Sequence, residues 1–130
     1  MLFRSRKKIV LWTVEGAPRK ALMTIFLDAG WKVDHIDSTT NLSHMKEDEL
    51  PLCILVDAVN GDIDSTLILS LSNACSKPIA IVVILNNVNI AHMMRLVADG
   101  ADMVIPAEAE AKDLLVALCR YSNKSTDISF

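Results

Sequence analysis

The chain has 130 residues, with 13 Lys and Arg against 16 Asp and Glu for a formal net charge of −3, and 52% of its residues are apolar. That balance excludes a disordered chain and fits one domain long enough to bury a core. It gives no general attraction to nucleic acid, so direct DNA binding by this domain is not expected. No apolar run approaches the roughly 20 residues a membrane helix needs. The basic start, Arg4, Arg6, Lys7 and Lys8, leads straight into a short strand and lacks a signal-peptide layout. Cys53, Cys75 and Cys119 are odd in number and widely spaced, with no Cys-x-x-Cys pair. They read as small core residues of a reducing, cytoplasmic compartment. His35, His44 and His92 are scattered and form no metal pair by spacing.

In chain order, 8–14 (Lys-Ile-Val-Leu-Trp-Thr-Val) is a first strand, apolar and β-branched. Glu15-Gly16-Ala17-Pro18 breaks it and opens a helix on which Ala17, Ala21, Leu22, Ile25, Phe26 and Ala29 form one apolar stripe, with Arg19, Lys20 and Asp28 falling elsewhere. Gly30 ends that helix in a left-handed conformation. The second strand, 31–36, is polar enough at Lys32 and Asp34 to be an edge. A short second helix is expected around Asn41 to Lys46.

The third strand is 50–57 (Leu-Pro-Leu-Cys-Ile-Leu-Val-Asp), and a third helix spans Ile63 to Cys75 with Ile63, Leu67, Ile68, Leu71 and Ala74 on one face. The most apolar run of the chain, 79–85, is the fourth strand. Ile90, Met93, Met94, Val97 and Ala98 are spaced for packing on a fourth helix, which Gly100 stops. A brief fifth strand runs from Asp102 to Ile105, and a last amphipathic helix from Glu108 to Tyr121. Residues 1–122 thus make one domain, and 123–130 are a tail or the start of a linker.

Strands that are apolar on both faces, alternating with helices through short loops, imply right-handed crossovers and a doubly wound α/β sheet. The expected architecture is a five-stranded parallel sheet of order 2-1-3-4-5, flavodoxin-like, with strands one and three meeting at the switch point. Asp57 then stands at the carboxyl end of a buried strand, in the crevice where ligands collect in such sheets. An Asp there also serves as a turn or helix cap, so position alone does not decide its role.

Four stretches carry a resemblance, namely 8–12 (Lys-Ile-Val-Leu-Trp), 52–57 (Leu-Cys-Ile-Leu-Val-Asp), 77–82 (Lys-Pro-Ile-Ala-Ile-Val) and 100–106 (Gly-Ala-Asp-Met-Val-Ile-Pro). In this order and spacing the chain resembles the CheY-like receiver domain of bacterial two-component response regulators over nearly its whole length. The closing part looks most like receivers that precede helix-turn-helix DNA-binding domains. The resemblance implies that Asp57 sits where the family's aspartate accepts a phosphoryl group from a histidine kinase. The family's acidic pair, which helps to hold magnesium, falls on Thr13 and Val14, with only the neighbouring Glu15 acidic. The hydroxyl residue ending the fourth strand falls on Val83, the conserved Lys on Ala107, and the aromatic switch residue on Val104.

Phosphoryl transfer is mostly positioning plus charge neutralisation, and each lost partner of the transferring oxygens is expected to remove about 3 kcal/mol. The expectation is an atypical, degenerate receiver, or pseudo-receiver: not an enzyme, with no cofactor, and signalling by protein contact rather than by phosphorelay. The resemblance points to a homodimer through the face of the fourth helix, fifth strand and last helix, with Met93, Met94 and Met103 as its adaptable contacts. Other signalling proteins, and an attached output domain for transcription or for a surface-appendage ATPase, are the further partners implied, with no membrane contact. The alternative is a working phosphoacceptor in which Glu15 and Asp57 assemble a reduced magnesium site. A third reading is a small neutral ligand in a crevice lined by Thr13, Val14, Val83 and Ala107. If buried without a cation, the Asp57 carboxylate is expected to be biased toward its neutral form unless backbone N–H groups satisfy it, and on the pseudo-receiver reading an Asn there should leave stability and oligomeric state nearly intact.

Overall fold

The two most apolar runs of the sequence form the centre of a parallel sheet. In the computed structural model the described residues are 8–14, 19–36, 51–59, 63, 65–74, 79–86, 89–107 and 113. Strands β1 (Lys8–Thr13), β2 (Lys32–Ile36), β3 (Cys53–Ala58), β4 (Ala80–Leu85) and β5 (Met103–Pro106) pair in the order β2-β1-β3-β4-β5, every neighbour parallel. Each position of β3 and β4 is buried, which is why both are continuously apolar up to Asp57. Strand β2 is the edge that its charges announced, with Lys8 of β1 reaching Asp34 at 3.3 Å. Helices α1 (Lys20–Asp28), α2 (Ser65–Ala74) and α3 (Ile90–Asp99) connect these strands. The helix expected around Asn41 to Lys46, the last helix over 108–121 and the tail 123–130 lie outside the described residues.

Alternate strand residues divide the core in two. Ile9, Leu11, Cys53, Leu55, Val82 and Ile84 pack with Leu22 and Phe26 of α1, and Trp31 meets Phe26 edge to face at 5.6 Å. On the opposite face Val10, Ile54, Val56, Ile81 and Val83 pack with Ile68 and Leu71 of α2 and with Leu96 of α3. Helices on both faces of one parallel sheet make the doubly wound architecture expected from the alternation of strand and helix patterns. Gly30 and Gly100, which end α1 and α3, both have positive φ, +86° and +123°, so the absence of a Cβ sets those helix ends.

Helix α3 corrects one expectation. Of the stripe expected to pack inward, Ile90 is 76% exposed, Met94 67% and Val97 53%, while the residue actually buried is Leu96. The sequence does single out one face, with Ile90, Met94 and Val97 on one side and Arg95 and Asp99 on the other, but seating Leu96 against α2 and the sheet turns that apolar row outward. The helix is capped by Asn89, whose Oδ1 accepts the His92 N–H at 2.8 Å.

Two features have direct consequences for stability and reactivity. The Asp102 carboxylate accepts the Ile81 N–H at 2.8 Å while its own N–H donates to Ile81 O at 2.8 Å, so one residue ties the start of β5 to β4. Asp102→Ala is expected to cost about 1 kcal/mol, read as a lower denaturation midpoint at unchanged m-value. Cys53 has no exposed surface, and burial, with the Asp102 charge adding to it, pushes its thiol up to about 12. Because only the thiolate reacts, peptide mapping after brief iodoacetamide treatment of the native protein should find Cys53 unmodified at neutral pH. The raised value also has a linkage consequence: the unfolded thiol releases its proton at lower pH than the folded one. Stability therefore falls as pH rises from about 9 toward about 12.

Candidate functional site

Strand β3 delivers one carboxylate to the edge of the sheet. Asp57 is its penultimate residue, and the alternation along β3 puts it on the face of Cys53 and Leu55, beneath α1. Its register partners are Thr13 on β1 and Ile84 on β4, so it stands where strand order reverses between β1 and β3. At 2% exposure it is the buried charged residue among the described ones. An ionised carboxylate so placed needs partners, because desolvation without them costs several kcal/mol, about 3 or more.

Arg19 supplies the main one. It is the N-cap of α1, with extended backbone at φ −73° and ψ 121°, and its side chain makes no cap hydrogen bond. Instead the guanidinium turns back over the sheet: Nε donates to Asp57 Oδ2 at 2.6 Å and Nη2 to Oδ1 at 3.2 Å. The Val59 N–H adds a longer contact to Oδ1 at 3.3 Å, and Asp57 O accepts the Val14 N–H at 2.9 Å. Two parallel N–H···O bonds are the geometry in which Arg binds a carboxylate most strongly. Arg19 keeps 34% of its side chain exposed, so the guanidinium stands on the solvent side of the buried carboxylate. On the neighbouring strand, Thr13 Oγ1 is buried without a hydrogen-bond partner among the described residues.

The other positions carried by the resemblance are hydrocarbon. Val83 pairs with Val56 and with Val104, has no exposed surface, and belongs to the cluster on the α2 and α3 face, so it does not line the crevice as the ligand reading required. Ile84 is the β4 neighbour of Asp57 instead. Ala107 is half-buried against the α1-face cluster, its N–H donating to Leu85 O at 2.7 Å. Glu15, the proposed second metal ligand, lies outside the described residues. Of the methionines named for an interaction face, Met94 is open to solvent, Met93 is half-buried, and Met103 is half-buried against the α1-face cluster.

Sequence reasoning missed Arg19, reading it only as a residue off the apolar stripe. A usable signal was present: in a doubly wound sheet the first βα turn lies over the switch point, and a cation at the start of the following helix is within reach of Asp57. The magnesium that the resemblance implies does not fit these residues. Both carboxylate oxygens of Asp57 carry guanidinium N–H groups, Thr13 and Val14 offer no charge, and no cluster of three or more metal-ligating side chains exists among the described residues.

No family model matches the sequence, and no curated protein sequence does either. Solved structures do. A CheY-like response regulator receiver domain protein from Methanospirillum hungatei JF-1 superposes with a TM-score of 0.74 at 14% identity, over 95% of this chain and 98% of that one. A putative pilus assembly-related protein from Burkholderia pseudomallei K96243 gives 0.67 at 16% identity, over 95% of each chain. The beryllofluoride-activated NtrC4 receiver domain dimer gives 0.70 at 14% identity, over 91% of this chain and 98% of that one. With its strand order, its two helical layers and these superpositions, the chain has the fold of CheY-like response-regulator receiver domains.

Proposed function

We propose that the domain is a signalling module that keeps the receiver fold and works by protein–protein contact, independently of phosphoryl transfer. The observation that carries this reading is the Arg19–Asp57 pair, with both carboxylate oxygens of the one candidate acceptor engaged by a guanidinium. A carboxylate nucleophile needs a free lone pair, an open in-line path and cations on the transferring oxygens. Here both carboxylate oxygens accept from Arg19, and the register neighbour on β4 is the hydrocarbon of Ile84. The reading is also supported by Ile84, the β4 neighbour of Asp57, which carries no hydroxyl, and by Val104, which packs as plain hydrocarbon with no ring to turn.

The contact surface in this reading is the outward row of α3, Ile90, Met94 and Val97, joined by half-buried Met93. Three large apolar side chains on one solvent-facing row suit a partner helix, and a second copy of the chain is the partner inferred here. That the NtrC4 receiver is a dimer supports the reading. An attached output, for transcription or for pilus assembly as in the Burkholderia protein of the same fold, would take its signal from this surface. No helix among the described residues is long and apolar enough to cross a membrane.

Incubating the protein with acetyl phosphate and magnesium, then measuring intact mass, tests the reading. The expected result is an unchanged mass. A gain of one phosphoryl group that disappears in Asp57→Ala would overturn it.

A further inference from the structure

The receiver fold and this crevice disagree about the cation, and the disagreement is specific enough to assign a site. We infer that the crevice beside Asp57 is a guanidinium site filled from within the chain by Arg19, which acts as a resident counter-cation in place of a metal ion. Two N–H groups of one side chain meet the two carboxylate oxygens one to one, at 2.6 and 3.2 Å, a match that a guanidinium fork makes and a spherical ion does not. A divalent ion would need several oxygen ligands in near-octahedral array. Among the described residues, the register neighbours of Asp57 are Thr13, with a hydroxyl, and Ile84, with hydrocarbon, and no group of three or more metal-ligating side chains is present.

The distribution of exposure adds a second argument. Asp57 is 2% exposed and fixed within a central strand, whereas Arg19 is 34% exposed and stands at a helix end. The carboxylate is therefore the built part of the site and the guanidinium the ligand that can be withdrawn. Removing the Arg19 side chain should leave a pocket selective for guanidinium-type cations over magnesium or manganese. The consequence for signalling is a crevice set by the sequence, one that does not respond to the supply of divalent ions.

Chemical rescue tests this. Arg19→Ala should melt several degrees below the parent, and millimolar methylguanidinium should restore part of the loss saturably while leaving the parent unmoved. Magnesium or manganese at matched ionic strength should restore less than methylguanidinium does. In Arg19→Ala combined with Asp57→Asn the methylguanidinium response should vanish. If Arg19→Ala does not fold, Arg19→Gln, which keeps the chain length without the charge, serves in the same assay. Absence of a saturable methylguanidinium response would overturn the inference, as would a stronger response to magnesium or an Asp57-dependent magnesium shift in the parent. The inference extends the reading of the same crevice, but the two fail separately: a phosphorylated parent protein overturns the contact reading, and an unrescued Arg19 variant overturns the guanidinium site.

Discussion

Arg19→Ala is expected to destabilise the domain by about 1–3 kcal/mol, and Asp57→Ala by less, about 1 kcal/mol. The asymmetry follows from where each partner stands. Removing Arg19 strands a carboxylate at 2% exposure that, among the described residues, keeps only the 3.3 Å contact from the Val59 N–H. Removing Asp57 leaves a guanidinium that already has a third of its surface in water and can turn outward. A fully buried pair would lose more, and the solvent at Arg19 is the reason for the lower figure. The double variant should cost less than the sum of the single ones, since each single change already breaks the same two hydrogen bonds. The pair also revises the expectation for Asp57→Asn: with a guanidinium on both oxygens, loss of the charge should cost about 1 kcal/mol rather than nothing. Urea denaturation at pH 7 measures all four proteins on one scale.

The second large effect lies on the surface. Met94→Glu together with Val97→Glu should convert a dimer to a monomer, weakening self-association at least tenfold, about 1.4 kcal/mol or more. Both side chains are more than half exposed, so the same changes should barely move the melting temperature of the fold. Sedimentation equilibrium of the parent and the double variant, with thermal melts of each, separates association from folding. A parent that stays monomeric at high micromolar concentration would contradict the homodimer. Leu96→Ala is the contrasting change on the same helix: it removes a buried anchor of the α2 and α3 face and should cost about 2–5 kcal/mol.

The sheet was legible because its signals are local. Residues 53–56 and 79–85 are apolar on both faces, which marks central parallel strands, and Lys32 and Asp34 mark an edge. The same run placed Asp57 at a strand end, and crossover handedness then placed it in the crevice. Arg19 was not legible in that way, because a long flexible side chain at a helix start can point to water, to a carbonyl or across the sheet, and periodicity encodes none of these. The seating of α3 was misread for another reason. Its sequence does mark one apolar row, Ile90, Met94 and Val97, but periodicity does not say whether such a row meets the core or is left outward, and the tertiary fit at Leu96 decided that.

What joins the two predictions is a division of labour between a closed crevice and an open helix. Asp57 is engaged from within the chain, while three of the five large apolar side chains exposed among the described residues lie on α3. On the proposed reading the surface need not wait for a chemical event at the crevice, and partner concentration would set the signal by mass action.

A crystal structure of the protein grown with magnesium and beryllofluoride is the most direct measurement. The expected density keeps Arg19 Nε and Nη2 on the two oxygens of Asp57, with no ion or fluoride adduct beside them. A beryllofluoride group on Asp57, with a metal ion next to it and Arg19 turned out to solvent, would contradict the resident-cation account.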